Sequence, residues 1–245
     1  MNKEKNHNYY EAVIFDLNGT LIDIYRVSEY YANLKQITEL LKVEHEKFKI
    51  AWKESWRKYP YGDYPSVRGR FMDAFTFYFE EDDFTIPVGL NDAIKVRLGY
   101  IEQQQNRIRP GVIDALEWVL GKGYKIGMIS NCSTETSVLW PKNPLIKYFP
   151  DPTLSCVVKM KKPEPEIFLN ETEKLRVDPT KCIYVADGDD GELTTAKALG
   201  METILVKYDL QDTYRHKEFP EAEYNMEDFN DLPEIIRKIE AKKKM

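Results

Sequence analysis

Glu11-Ala12-Val13-Ile14-Phe15-Asp16-Leu17-Asn18-Gly19-Thr20 is the stretch that decides how this chain folds. Its first five residues form a short, mostly apolar run, the pattern of a β-strand covered on both faces. The run stops at Asp16, and the Asn-Gly-Thr that follows is turn chemistry. A carboxylate at the tip of a buried strand is costly unless it is paired or used.

Comparable runs recur only after residue 120: Tyr124 to Ile129, Leu154 to Val158, Cys182 to Ala186 and Thr203 to Val206. Helical patterns separate most of them. Gly111 to Leu120 carries Val112, Ala115, Leu116 and Val119 at helical spacing. Pro163-Glu164-Pro165-Glu166 opens a second helix with Ile167, Phe168 and Leu175 on its apolar side, Pro and acids both suiting a helix start. A third runs from Glu192 to Leu199 and closes at Gly200, and a fourth from Leu232 to Lys243. Strands alternating with helices predict an α/β fold: a Rossmann-like parallel sheet core with helices on both faces and right-handed crossovers. Residues 22–106 interrupt this rhythm. They read as helices, and eleven of the 31 aromatic residues fall between Trp52 and Phe84, which predicts an aromatic subdomain core. The expected organisation is an α/β core of residues 1–21 and 107–245 and an inserted α-helical cap of residues 22–106, with Arg109-Pro110-Gly111 marking the return to the sheet. Such an insertion sits over the C-terminal end of the first strand, where ligands bind in open α/β sheets.

With 245 residues the chain is one large domain or a domain with an insertion. Lys plus Arg is 35 against 41 for Asp plus Glu, a net charge of −6 that argues against a nucleic-acid partner. It leaves phosphorylated substrates open, since a small site needs only one or two local cations. His7, His45 and His216 lie far apart, which argues against a histidine zinc site and against Ser-His-Asp hydrolysis. Acid–base chemistry is left to carboxylates and lysine. Cys132, Cys156 and Cys182 have no C-x-x-C spacing and read as reduced core thiols of a cytoplasmic protein. No apolar run approaches the roughly 20 residues that cross a bilayer, and the polar stretch from Met1 to Tyr10 lacks a secretory core, so no membrane partner is expected.

Four constellations stand at or just after strand ends: Asp16-Leu17-Asn18-Gly19-Thr20, Ser130-Asn131, Lys162-Pro163, and Asp187-Gly188-Asp189-Asp190-Gly191-Glu192. Each has a plain alternative as a turn, a helix cap, a solvated basic loop or an acidic surface loop. Four acids in six residues repel one another, however, and ask for a cation. Hard oxygen ligands suit Mg²⁺, which takes one or two carboxylates and keeps several waters.

In this order and context the four together resemble the haloacid dehalogenase-like hydrolase superfamily, over nearly the whole chain. Phe15-Asp16-Leu17-Asn18-Gly19-Thr20-Leu21 is similar to its first motif, Ser130 to its second, Lys162-Pro163 to its third, and Asp187-Gly188 with Glu192 to its acidic fourth. Gly191-Glu192-Leu193, followed by Ala196, Ala198, Leu199, Gly200 and Met201, also looks like members of this family. The resemblance implies a Mg²⁺-dependent phosphatase acting on a small phosphorylated metabolite. It makes Asp16 the nucleophile, Lys162 its counter-charge, and Ser130 a donor to a phosphoryl oxygen. Asn131, Gly19 and Thr20 would assist at the substrate. Mg²⁺ would be held by Asp16, the backbone carbonyl of Asn18 and Asp187, supported by Glu192, with Asp189 or Asp190 competing for that last role.

Residue 18 departs from the pattern. The family's phosphatases carry Asp there, to protonate the leaving alcohol and then to activate water, and Asn does neither. Three readings stay open: an Asp→Asn replacement introduced into a phosphatase; a natural Asn in a slow phosphatase or a non-catalytic phospho-ligand binding protein; or a 2-haloacid dehalogenase-like hydrolase, which needs neither the second acid nor Mg²⁺. Substrate identity and oligomeric state have no motif. Arg57, Lys58, Arg68 and Arg70 are the cations of the helical stretch that could meet anionic substrate groups, and each reads first as solvated.

Overall fold

A computed structural model describes residues 8–23, 26–81, 83–209, 211–213 and 222–243. His7, His216 and the first seven residues of the polar N-terminal stretch lie outside these. The chain enters through β1 (Ala12–Phe15) and then makes four helices, α1 (Val27–Leu41), α2 (His45–Trp56), α3 (Val67–Phe79) and α4 (Leu90–Gln105). The alternating part follows as α5 (Val112–Gly121), β2 (Lys125–Ser130), α6 (Thr134–Leu139), β3 (Thr153–Leu154), α7 (Ser155–Val158), α8 (Pro165–Leu175) and β4 (Cys182–Ala186). It ends with α9 (Glu192–Ala198), β5 (Glu202–Val206), β6 (Tyr224–Met226) and α10 (Leu232–Lys243).

The six strands form one parallel sheet in the order β3-β2-β1-β4-β5-β6, the α/β architecture read from the sequence. β1 lies at its centre with all four residues fully buried. Its side chains alternate, as a strand must. Val13 and Phe15 enter one apolar cluster with Val112, Leu116 and Ile236 from α5 and α10; Ala12 and Ile14 enter the other with Ile167, Phe168 and Ala196 from α8 and α9. This two-sided burial is why the strand reads as a continuous apolar run.

Register places the site. Phe15 stands opposite Met128 on β2 and Val185 on β4. The chain therefore leaves β1, β2 and β4 at the same edge, delivering Asp16, Ser130 and Asp187 side by side. The four helices after β1 pack as α1 on α4 and α2 on α3 around their own cluster, built on Leu34, Ile37, Phe48, Trp52, Phe71 and Phe75. The aromatic stretch is thus a core, with Trp52 and Phe71 ring centres 4.9 Å apart.

Two local expectations are corrected, and one strand is added. The Leu154 to Val158 run is a strand only at Thr153–Leu154; Ser155–Val158 is a single helical turn, ended by Lys159 at φ 55°. A five-residue apolar run carries no period to tell strand from helix, and Val157 is in fact exposed. The helix after Lys162-Pro163 starts at Pro165, with Glu164 still extended. Strand β6 was not anticipated, because an edge strand with one buried residue, Met226, has no apolar run to betray it. Among the described residues no helix is long and apolar enough to cross a membrane.

Candidate active site

Asp16 is 3% exposed at the tip of β1, its N–H bonded to the Val185 carbonyl. Its carboxylate is held from two sides: Oδ1 accepts from Lys162 Nζ at 2.5 Å and Oδ2 from Thr20 Oγ1 at 2.8 Å. Lys162 is equally buried and also lies 3.2 Å from Asp190 and 3.8 Å from Glu192. Burial pushes the Asp16 carboxyl above its ordinary range, against the pull of Lys162. Burial works to lower Lys162, but Asp16, with Glu192 and Asp190 behind it, holds the ammonium well above its usual value. Lys162 and Asp16 thus face each other as a buried hydrogen-bonded pair at the sheet edge.

The lysine is positioned through its backbone. The Asn131 side-chain carbonyl accepts from Lys162 N–H at 2.8 Å, and Asn131 Nδ2 donates to the Lys162 carbonyl at 3.0 Å. Asn131 and Thr20, expected at the substrate, thus spend their side chains on Lys162 and Asp16. Ser130 ends β2 with its hydroxyl fully buried and without a hydrogen-bond partner among the described residues. An unsatisfied buried hydroxyl beside a carboxylate–lysine pair is a donor waiting for an oxygen.

The acidic turn after β4 converges on the same place. Asp187 is 3% exposed; Oδ2 accepts from the Tyr208 hydroxyl at 3.0 Å and Oδ1 from Asp189 N–H at 3.1 Å. Glu192 is fully buried, with Oε1 accepting from Gly188 N–H at 3.2 Å and Oε2 unpartnered. Burial, then the charges of Asp16 and Glu192, push Asp187 up to about 8. Gly19, at φ 76°, lets the first loop come close: a Cβ there would sit 2.5 Å from Asp187 Oδ2. Asp190 lies 3.2 Å from Lys162, and Glu192 accepts from Gly188 N–H in the Asp187 loop. Tyr208 and Arg109 carried no sequence signal for the site. Arg109 ties the loops together by donating to the carbonyls of Gly19, Lys207 and Glu227.

A cavity of about 990 Å³ opens above these loops, walled by Asn18, Asn131 and Cys132 from the sheet edge and by Tyr30, Trp56 and Arg70 from the helices. Asn18 Oδ1 is buried and unpartnered at its floor. Helices and sheet are joined beside it. Thr134 N–H donates to the Gly62 carbonyl and Ser155 Oγ to the Tyr61 carbonyl. Arg97 of α4 grips Glu135 of α6 through Nε and Nη2, both at 2.9 Å, with both side chains buried. Arg70 corrects an expectation. It is 4% exposed, whereas Arg57, Lys58 and Arg68 sit at the surface on Glu54, Asp73 and Asn91. Cys156 and Cys182 are buried as expected, while half-buried Cys132 lines the cavity with its sulfur 3.8 Å from that of Cys156.

The Arg97–Glu135 clamp makes stability depend on pH. Burial alone would raise the Glu135 carboxyl, but Arg97 holds it at about 2, below its ordinary 4.5. A depressed folded-state value contributes stability that is full above the unfolded carboxyl's pKa and is lost as pH falls toward the folded one. The window is therefore about 4.5 down to 2, and the shift corresponds to roughly 3 kcal/mol. Urea midpoints over that window should fall more steeply in the parent than in an Arg97→Met/Glu135→Gln double variant. Parallel curves would mean that the clamp contributes nothing.

Comparison with known proteins now adds to the geometry. The family model of haloacid dehalogenase-like hydrolases matches residues 10–200. The chain is 29% identical over 214 residues to a phosphorylated carbohydrates phosphatase of Thermotoga maritima, covering 82% of this chain and 88% of that one. It is 35% identical over 114 residues to a CBBY-like protein of Arabidopsis thaliana, 44% of this chain but only 34% of the plant protein. Among solved structures, a 2-haloacid dehalogenase from Pseudomonas syringae pv. Tomato superposes with a TM-score of 0.69 at 20% identity, over 94% of this chain and 99% of that one. A phosphatase from Thermococcus onnurineus gives 0.61 at 21% identity, over 92% and 97%.

Proposed function

Because the chain belongs to the haloacid dehalogenase-like hydrolase family, we propose that this hydrolase cleaves phosphomonoesters of small metabolites through an aspartyl-phosphate on Asp16. The observation that carries the proposal is the constellation at one sheet edge: a buried Asp16–Lys162 pair, the unpartnered Ser130 hydroxyl, and the acidic turn of Asp187 and Glu192. The name of the Thermotoga relative adds phosphorylated carbohydrates as a substrate class to try first. Free thiols at Cys132, Cys156 and Cys182 suit a reducing cytoplasm.

The donor set fits Mg²⁺. It offers hard oxygens, an unpartnered Glu192 Oε2, and more buried carboxylate than Lys162 offsets. Among the described residues no three His, Cys, Asp or Glu side chains form a ready cluster. Mg²⁺ does not need one, since one or two carboxylates, a carbonyl and waters satisfy it. Asp16, the Asn18 carbonyl and Asp187 would hold it, with Glu192 fixing the Asp187 loop. Bound there, the ion supplies screening between the carboxylate and the phosphoryl group.

The protein's own residues then divide the work. An Asp16 oxygen attacks phosphorus while the bond from phosphorus to the ester oxygen breaks, its electron pair leaving on the alcohol oxygen. Lys162 offsets the negative charge that Asp16 and the phosphoryl oxygens bring together, and the Ser130 hydroxyl donates to one of those oxygens. Water then attacks phosphorus, loses a proton, and releases phosphate and free Asp16. Two proton transfers are needed, to the alcohol and from the water; Asn18 performs neither, so in this chain both are left to solvent water.

A second reading, displacement of halide from a 2-haloacid by the same Asp16, draws on that missing acid. The buried acidic turn counts against it, because Asp187 and Glu192 together crowd more acid beside Asp16 than hydrolysis of an ester intermediate needs and so ask for a cation. The discriminating assay offers the protein a phosphomonoester with Mg²⁺ and, separately, a 2-haloacid with EDTA. Phosphate release inhibited by EDTA supports the phosphatase; halide release without phosphate release overturns it.

A further inference from the structure

The helical side of the cavity holds a cation that the phosphoryl chemistry does not use. Arg70 is 4% exposed, yet its guanidinium has no hydrogen bond or ion pair among the described residues, and its Nε is buried and unpartnered. Aromatic rings cover its faces instead, with ring centres at 4.0 Å for Trp52, 4.6 Å for Trp56 and 5.3 Å for Tyr64. Rings stacked on a guanidinium satisfy its faces and leave its in-plane N–H groups unmet. Glu135, the buried carboxylate that feels its charge, has both oxygens committed to Arg97. Two buried guanidinium groups thus share one carboxylate, and the surplus positive charge borders the cavity.

The cavity wall repeats the sign. Among the described residues it includes Lys49, Lys53 and Lys161 as well as the two arginines, and no Asp or Glu. Lys49 is paired with Glu46 and Arg97 with Glu135, which leaves Arg70, Lys53 and Lys161 as the wall's cations without an ion pair among the described residues, in a chain of net charge −6. A charged side chain that is caged, desolvated and unpaired at a cavity wall is set up for an anion that arrives with the ligand. The unpaired N–H fork of a guanidinium fits a carboxylate or a phosphate better than a hydroxyl.

We propose that the substrate carries a second anionic group, a carboxylate or a further phosphate, at the end remote from the phosphoryl group that is cleaved, and that Arg70 binds it. Arg70 is then the specificity-determining residue of the helical side. The inference rests on the phosphatase reading only for what happens at the other end.

The test measures binding to the chain as it stands, in the presence of Mg²⁺. The probes are orthophosphate, a series of alkyl phosphates ending in hydroxyl, the matching series ending in carboxylate or in a second phosphate, and the same carboxylates without phosphate. At one chain length an anion-ended probe should bind about 10- to 100-fold more tightly than its hydroxyl counterpart, the worth of one charge-assisted pair. In Arg70→Gln the two should bind alike while orthophosphate binds as before. Arg70→Lys keeps the charge but loses the fork, so an intermediate preference is expected; it stands in for Arg70→Gln if that variant does not fold. The carboxylate and phosphate arms identify which anion is meant. Preference for the anion surviving in Arg70→Gln, or no anion-ended probe outbinding its hydroxyl counterpart at any length, overturns the proposal. Failure of orthophosphate to bind either protein overturns the phosphatase reading instead, and the phosphate-free carboxylates then still report on Arg70.

Discussion

Replacing Asn18 with Asp is expected to raise Mg²⁺-dependent phosphate release by about 10²- to 10⁴-fold, the range that a positioned acid or base supplies. The expectation follows from proton accounting. Asp16 can attack, Lys162 can offset charge and Ser130 can donate without help from residue 18. What is missing is a proton for the departing alkoxide and a base for the incoming water. Asn18 occupies the right place, at the cavity floor with its Oδ1 buried and unpartnered, and Asp is close to it in shape. The gain should be largest on esters of poor leaving groups, which need the proton most. The check is phosphate release by both proteins from an alkyl phosphate, with and without EDTA. Equal rates would remove residue 18 from the mechanism, and no phosphate release by either protein would remove the phosphatase reading.

The second large effect is on stability and falls unequally on the two ends of one ion pair. Lys162 serves three acids, Asp16 at 2.5 Å, Asp190 at 3.2 Å and Glu192 at 3.8 Å. Lys162→Met would leave buried carboxylates without their ammonium, and stranding a buried charge in this way costs about 3–5 kcal/mol. Asp16→Asn leaves Lys162 with two acids and removes one of the crowded charges, so stability should stay within about 1 kcal/mol of the parent or rise. Both variants should lose activity. Denaturant unfolding of the two without Mg²⁺ separates them, and equal destabilisation would contradict the charge balance described for the site. The same asymmetry explains why a site can be costly to fold and still persist, since its surplus acids are kept for a cation.

How far the sequence announced this site depends on whether a residue's role is local. Asp16, Ser130 and Asp187 stand at strand ends, and Lys162 and Glu192 lie where helices open, so the alternating pattern pointed to them. The parallel register of β1 with β2 and β4 then gathers them. Thr20 and Asn131 were visible, but not that they hold Asp16 and Lys162, because a side chain's partner is chosen by three-dimensional approach. The Arg97–Glu135 pair spans 38 positions and two units with no pattern in either segment. Arg70 shows the limit most clearly. As one charged residue among several it read as solvated, and only the packing of α2 on α3 closes Trp52 and Trp56 over it. The short elements failed for a related reason: a two-residue strand and a one-turn helix contain less than one period of either pattern.

The central claim, that Asp16 takes the phosphoryl group, is tested most directly by looking for it there. An aryl phosphate has a leaving group that needs no proton, so the Asn18 protein should be phosphorylated quickly and hydrolysed slowly. After incubation with an aryl phosphate and Mg²⁺, peptide mapping by mass spectrometry should find a phosphoryl group on Asp16, absent in Asp16→Asn and short-lived in Asn18→Asp. Release of the aryl alcohol with no adduct on Asp16, or an adduct on another residue, would contradict the account.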